Sequence, residues 1–185
     1  EVWKKKEWTQ PATLNLARYG GLRRRVSVPN LRSFTRLAAE LSQTHNWPQP
    51  IDFLEPLWSG SWPSPSTETR AFVPTSKLVD LVGIHAVNRS HGSVAVLADV
   101  SQFYSSIYTH AIAWALHGKV EAKKDMWDEK LAGNRIDKLV QVGQHGQTHG
   151  IPIGPDTSFI IGEIILGAVD RGLWEKGHEP KGIRY

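Results

Sequence analysis

Between residues 31 and 42 apolar side chains recur every three or four positions, at Leu31, Phe34, Leu37, Ala38 and Leu41. That spacing puts them on one face of a helix, and the short polar side chain of Asn30 can cap its first turn. A wider stripe of Ile160, Ile161, Ile164, Ile165, Ala168 and Val169 predicts a helix over 156–174, capped by Asp156. Val94-Ala95-Val96-Leu97-Ala98 does not alternate. A short continuous apolar run of this kind, closed by Asp99, predicts a strand covered on both faces. Gly20-Gly21 predicts a turn, and residues 23–28 beyond it alternate enough for one strand of a hairpin. Residues 1–19 are basic and aromatic and show only weak helical spacing.

The remaining elements follow from caps and breakers. A short helix is expected over 76–87, and another from Thr109, as its cap, to His117-Gly118, where glycine supplies the stop. Residues 119–138 are charged and read as partly helical, and 143–156 form a loop rich in glycine and proline. Residues 44–69 are rich in Pro, Ser and Trp and read as an irregular insertion. Trp47, Trp58 and Trp62 serve it better as anchors on the body than as a platform for stacked bases. The chain shows no internal repeat and no heptads.

Composition narrows the classes. The chain has no cysteine, which excludes disulfides and thiolate metal sites. No apolar run reaches the roughly 18 residues of a membrane span, and EVWKKKEW at the start lacks the apolar core of a signal peptide. A soluble, cytoplasmic protein without membrane partners is therefore expected. Met126 is the single methionine, so the reading frame is expected to begin upstream of residue 1. The net charge of +4 is uneven: nine Lys/Arg against two Glu up to Arg36 give +7, which leaves −3 for the rest. A basic first part suits a polyanionic partner, because Lys and Arg on phosphates release counterions. A solvated basic face explains the same charge.

Two stretches carry candidate chemistry. In Asp99-Val100-Ser101-Gln102-Phe103-Tyr104-Ser105-Ser106-Ile107 a carboxylate leaves an apolar strand. Such a group either caps the next turn or meets a cation, and Mg²⁺ favours hard oxygen ligands of this kind. Gly150-Ile151-Pro152-Ile153-Gly154-Pro155-Asp156 is a stiff loop whose glycines allow close approach of a flat ligand or of backbone. Gly162 and Gly167, inside the following helix, suggest close packing there. His145 and His149 have the spacing of a helical zinc pair, but Gly146 and Pro152 argue against a helix. Glu163 reads as part of a solvated helix face, Asp170 as a cap or surface residue, and Trp114 and Trp127 as core or interface residues.

In this order the two stretches resemble the reverse transcriptase family. VAVLADVSQFYSSIYTHAIAWALHGK is similar to motif A and its helix, in the form found in bacterial abortive-infection and defence-associated enzymes. GQTHGIPIGPDTSFIIGEIILGAVD is similar to motif B of the same branch, and RRRVSVPN to the fingers hairpin that precedes them. Arg184-Tyr185 stands where the Tyr-x-Asp-Asp of motif C begins. The resemblance covers residues 23–36 and 70–185 and is poor over 1–19 and 44–69.

The resemblance implies an α+β fold, that of a right-hand polymerase, with fingers from 1–85 and 118–149 and a split βαβ partial palm from 86–117 and 150–185; the thumb would lie outside the chain. It implies RNA-directed DNA synthesis from dNTPs on an RNA template, extending a DNA primer, or a protein hydroxyl in some relatives. Mg²⁺ or Mn²⁺ would be the cofactor, and antiviral defence a possible setting. Asp99 would bind both catalytic metals and the Val100 carbonyl one of them. The Gln102-Phe103-Tyr104 backbone would run beside the triphosphate, with Tyr104 as the aromatic gate against a 2′-hydroxyl. Arg24 would clamp the triphosphate beside Arg25, Arg23 and Tyr185 would face template and primer, and Pro152 and Gly154 would pack against the nascent base pair.

Two departures matter. Ile153 stands where many relatives carry glutamine, which removes a side-chain hydrogen bond. The two motif C aspartates fall after Tyr185, so this chain carries one of several carboxylates that two-metal chemistry uses. A scaffold that binds nucleic acid without polymerising, or an RNA-dependent viral-type polymerase, would share parts of this pattern. The aromatic at 104 favours dNTPs over rNTPs.

Overall fold

The computed structural model describes residues 8–43, 58–77, 79–90, 92–124, 129–178 and 183–184. These residues form a mixed α+β structure with two small antiparallel sheets of two strands each. Among them no helix is long and apolar enough to cross a membrane.

Strands β1 (Ala12–Ala17) and β2 (Arg23–Val28) make the expected hairpin, in register from Ala12 opposite Val28 to Ala17 opposite Arg23. Gly20 and Gly21 both take positive φ, 76° and 75°, in the turn that joins them, a region open to glycine at little cost. β1 replaces the weak helical pattern expected before residue 19. All six of its residues are exposed, so neither face is buried and the ladder to β2 holds it.

Helix α1 (Leu31–Leu41) starts where expected: the Arg32 amide donates to Asn30 Oδ1 at 3.0 Å. Leu41 is buried and Leu37 packs on the core, whereas Leu31 at the open end is exposed. Strands β3 (Pro63–Pro65) and β4 (Phe72–Pro74) pair across a short turn. Trp62 packs against the core and Trp58 meets Trp174 at 6.2 Å, so both anchor this segment as expected. Trp47 and Trp127 lie outside the described residues. Helix α2 (Asp80–Arg89) begins later than the pattern suggested and buries none of its residues.

The strand expected over 94–98 is not formed. Val94, Val96 and Leu97 are 83%, 86% and 84% exposed and lie in no strand. A strand exists through its ladder, and no described strand pairs with this one. Short α3 (Phe103–Ser106), then α4 (Ala111–His117), α5 (Lys119–Lys124), α6 (Ala132–Gly143) and α7 (Asp156–Glu175) complete the order. Thr109 does not cap α4. It is fully buried, its amide donates to the Thr148 carbonyl at 2.9 Å, and its hydroxyl lies 3.4 Å from Gln141 Nε2.

The core lies where α1, α4, α6 and α7 meet. Ile112, Leu116, Ile136, Val140, Ile160, Ile161 and Ile164 form it, with Ile151 from the loop before α7. Full burial of each such side chain contributes about 1.5–3 kcal/mol. Val169, counted in the α7 stripe, is 54% exposed. Asp156 is the first residue of α7 and does not cap it. Its carboxylate accepts from Arg70 Nε at 2.8 Å and from the Ala71 amide at 3.0 Å, which docks the β3–β4 connection onto α7.

Candidate functional site

Three segments separated in sequence are tied together by backbone hydrogen bonds. The Ser27 amide of β2 donates to the Ile153 carbonyl at 2.7 Å. The Gly150 amide donates to the Ile107 carbonyl at 2.7 Å, and the Ile151 amide to the Tyr104 carbonyl at 2.8 Å. The loop before α7 thus holds the arginine strand on one side and the α3 turn on the other. Both glycines are required. Gly150 has φ +78°, and a Cβ there would lie 3.1 Å from the Ser105 carbonyl oxygen. Gly154 has φ +124°, and a Cβ there would lie 3.0 Å from Val26 Cγ1. Gln144 stiffens the loop from beneath, donating to the carbonyls of Gln147 at 2.6 Å and Gly150 at 2.9 Å.

α3 is entered through Gln102, whose φ of 51° and ψ of 42° are left-handed. A residue with a Cβ adopts that region only when its surroundings demand it. The turn presents Phe103 and Tyr104, ring centroids 5.3 Å apart, both packed against the core. Burial raises the Tyr104 pKa above the usual phenol value, and the Glu163 carboxylate raises it further, while Arg70 and Arg24 pull it down. The hydroxyl stays protonated at neutral pH and can donate. Two arginines from two different hairpins therefore act on one phenol.

Arg23, Arg24 and Arg25 are all exposed on β2. Alternation along the strand puts Arg24 on the face opposite Arg23 and Arg25. Pro152 is half-buried and lines a small crevice with Pro29, Phe34 and Leu139, facing the body of the protein. Asp99 and Val100 are both exposed at the end of the 94–100 segment, and among the described residues no group of three or more His, Asp or Glu side chains is placed to hold a metal ion. Tyr185 lies outside the described residues.

No protein-family model matches the chain, and no curated protein is significantly similar to it.

Several site neighbours carry no strong sequence signal. Glu163 is not on a solvated face: it is buried, accepts from Ser59 at 2.8 Å and Ser61 at 2.7 Å, and pairs with Arg184 at 2.9 Å. A carboxylate between Ile161 and Ile164 on an apolar helix was the available hint. Asp170 is likewise buried and pairs with Arg184 at 3.0 Å. Burial raises its pKa despite the opposing pull of that guanidinium. Arg70 pairs with Asp156 and lies 5.9 Å from the centre of the Phe159 ring. His145 and His149 form no helical pair, since His145 takes a φ of 56° against Trp8 and His149 bridges by backbone to Tyr108. Trp114 packs between Tyr108, 5.6 Å away, and Lys119, 4.9 Å from its ring centre.

Proposed function

We propose that this chain forms the fingers and the front of the palm of a reverse-transcriptase-type polymerase, which adds dNTPs to a DNA primer on an RNA template. The observation that supports this reading is the tie between the Arg24 strand, the Gly150–Gly154 loop and the turn bearing Tyr104. A cationic strand, a rigid glycine loop and an aromatic side chain at one place suit a nucleotide's phosphates, base and sugar. A guanidinium on β2 grips phosphate oxygens in two-point fashion. Tyr104, seated against α7, fills the space under the sugar and excludes a 2′-hydroxyl. Gly154 lets backbone lie close to a flat base pair.

Asp99 offers one hard oxygen donor, which fits Mg²⁺ or Mn²⁺ held mainly by water and substrate phosphates. Bound there, such an ion would stabilise the charge that develops on the transferring phosphate. In this reading residues 1–85 and 118–149 belong to the fingers, 86–117 and 150–185 to the palm, Arg23 faces the template side, and Arg25, next to Arg24 in sequence, lies on the opposite face of the strand.

The experiment is primer extension on RNA and DNA templates by a polypeptide that continues this chain through two further carboxylates. Asp99→Asn should abolish incorporation and leave the thermal midpoint unchanged. Residues 1–185 alone should not extend a primer and should bind nucleic acid weakly, with affinity that falls as salt rises. Incorporation by Asp99→Asn at the parent rate refutes the reading. Binding without incorporation by the parent protein favours a nucleic-acid scaffold.

A further inference from the structure

Gly162 sits in the interior of α7, where glycine destabilises a helix by about 1 kcal/mol relative to alanine. Its φ does not call for glycine, since it is not positive. Crowding does: a Cβ there would lie 3.2 Å from Phe103 Cε1, 3.4 Å from Tyr104 Cε1 and 3.7 Å from the Tyr104 hydroxyl. Helical Gly83 and Gly172, by contrast, would meet nothing within 4 Å. The missing side chain is thus the seat of the two rings.

We propose that Gly162 is a specificity-determining residue: it sets how deeply Tyr104 sits, and so how strictly the site rejects a 2′-hydroxyl. The inference rests on the polymerase reading. The helix and the Tyr104 backbone are both held, so the side chains must give. α7 is held by the buried neighbours Ile161 and Glu163, the latter fixed by Ser59, Ser61 and Arg184. The Tyr104 backbone is held by the Ile151 amide at 2.8 Å. A methyl group at 162 must therefore displace the Phe103 ring by a few tenths of an ångström, and Phe103, in edge contact with Tyr104 at 5.3 Å, carries that shift to the phenol.

The test uses single-nucleotide incorporation by the extended polypeptide, with dNTP and rNTP in parallel. Gly162→Ala should raise the dNTP KM and lower the rNTP/dNTP ratio by about tenfold, the order of discrimination one methyl group gives in a tight pocket. Tyr104→Ala should shift the ratio the opposite way. In the Tyr104→Ala background the Gly162→Ala change should lose its effect on the ratio, as expected of residues in contact. Should Gly162→Ala fail to fold, Gly162→Ala/Phe103→Leu removes the crowded contact and leaves ordinary contact with Tyr104, so its ratio should match that of Phe103→Leu alone, and a ratio lowered further overturns the inference. An unchanged ratio in an active variant, or an equal change without Tyr104, overturns the inference alone. A parent protein that incorporates nothing overturns the polymerase reading and this inference with it.

Discussion

Arg184 holds Glu163 at two points, with Nη1 2.9 Å from each carboxylate oxygen, and reaches Asp170 through Nη2 at 3.0 Å and Nε at 3.1 Å. Its backbone joins in: the Arg184 amide donates to the Trp58 carbonyl at 2.6 Å, and the Gly60 amide to the Arg184 carbonyl at 2.8 Å. One residue thereby stitches residues 58–61 to the middle of α7, beneath the seat of Tyr104.

Removing that guanidinium takes the cation from two buried carboxylates and leaves Glu163 the Ser59 and Ser61 hydroxyls. Uncompensated buried charge destabilises by about 3–5 kcal/mol, so Arg184→Ala should lower the unfolding free energy from urea titration by an amount in that range. Arg184→Lys should recover only part, because an ammonium cannot span both carboxylates as the planar fork does. A loss under about 1 kcal/mol, the worth of an exposed pair, would show that water reaches the cluster.

The α4–α6 contact should respond to acid through His117. Burial lowers its pKa below the usual histidine value and Arg135 adds to this, with Glu121 opposing. The neutral ring accepts the Gly133 amide at Nε2, 2.9 Å away. The unfolded chain takes up this proton more readily than the folded one. His117 therefore contributes its full stability above the usual histidine range and loses it as pH falls through the lowered folded value. His117→Gln keeps an acceptor without the titration. Midpoints of the two proteins, followed from pH 8 to 5, should converge on acidification, and parallel curves would refute the assignment.

At the same contact a Cβ on Gly133 would lie 2.7 Å from the Ala113 Cα and 2.9 Å from His117 Cδ2. Backbone cannot yield as a side-chain tip can, so Gly133→Ala should destabilise by about 1–3 kcal/mol or more through overpacking. Gly172→Ala, in open space on α7, should stabilise slightly, since it removes only the helix penalty of glycine. Equal midpoints for the two variants would count against the close approach of α4 and α6.

Elements decided by neighbours in sequence were legible: the Asn30 cap, the Ile160–Ile164 stripe, and the glycines of the 150–154 loop all work within a few residues. What was not legible depends on partners far along the chain. β1 exists because β2 lies beside it. Asp156 looked like a cap because nothing local shows Arg70, 86 residues away. Glu163 looked solvated because Ser59 and Arg184 lie 104 and 21 residues from it. The 94–98 run carries the pattern of a covered strand but finds no pairing among the described residues. Apolar patterning states which residues prefer burial and does not supply the strand that would provide it.

Arg24 and Arg70 both lower the Tyr104 pKa, yet they should behave differently when removed. Arg70 is committed: its guanidinium pairs with Asp156, and the neighbouring Ala71 amide takes the other carboxylate oxygen at 3.0 Å. Arg70→Ala should loosen the β3–β4 connection and lower the thermal midpoint, with little effect on the dNTP KM. Arg24 is exposed on a strand fixed to the 150–154 loop by Ser27. A charge-assisted hydrogen bond is worth about 1.5–3 kcal/mol. Arg24→Ala should therefore raise the dNTP KM by about ten- to a hundredfold and leave the midpoint unchanged. Changes at Lys4, Lys5 and Lys6, by contrast, should weaken template binding in a salt-dependent way and spare the dNTP KM. Steady-state incorporation, template binding at two salt concentrations and thermal melts separate the three effects. If all these variants moved KM and template affinity alike, the basic residues would form one undifferentiated patch, and Arg24 would have no special claim on the triphosphate.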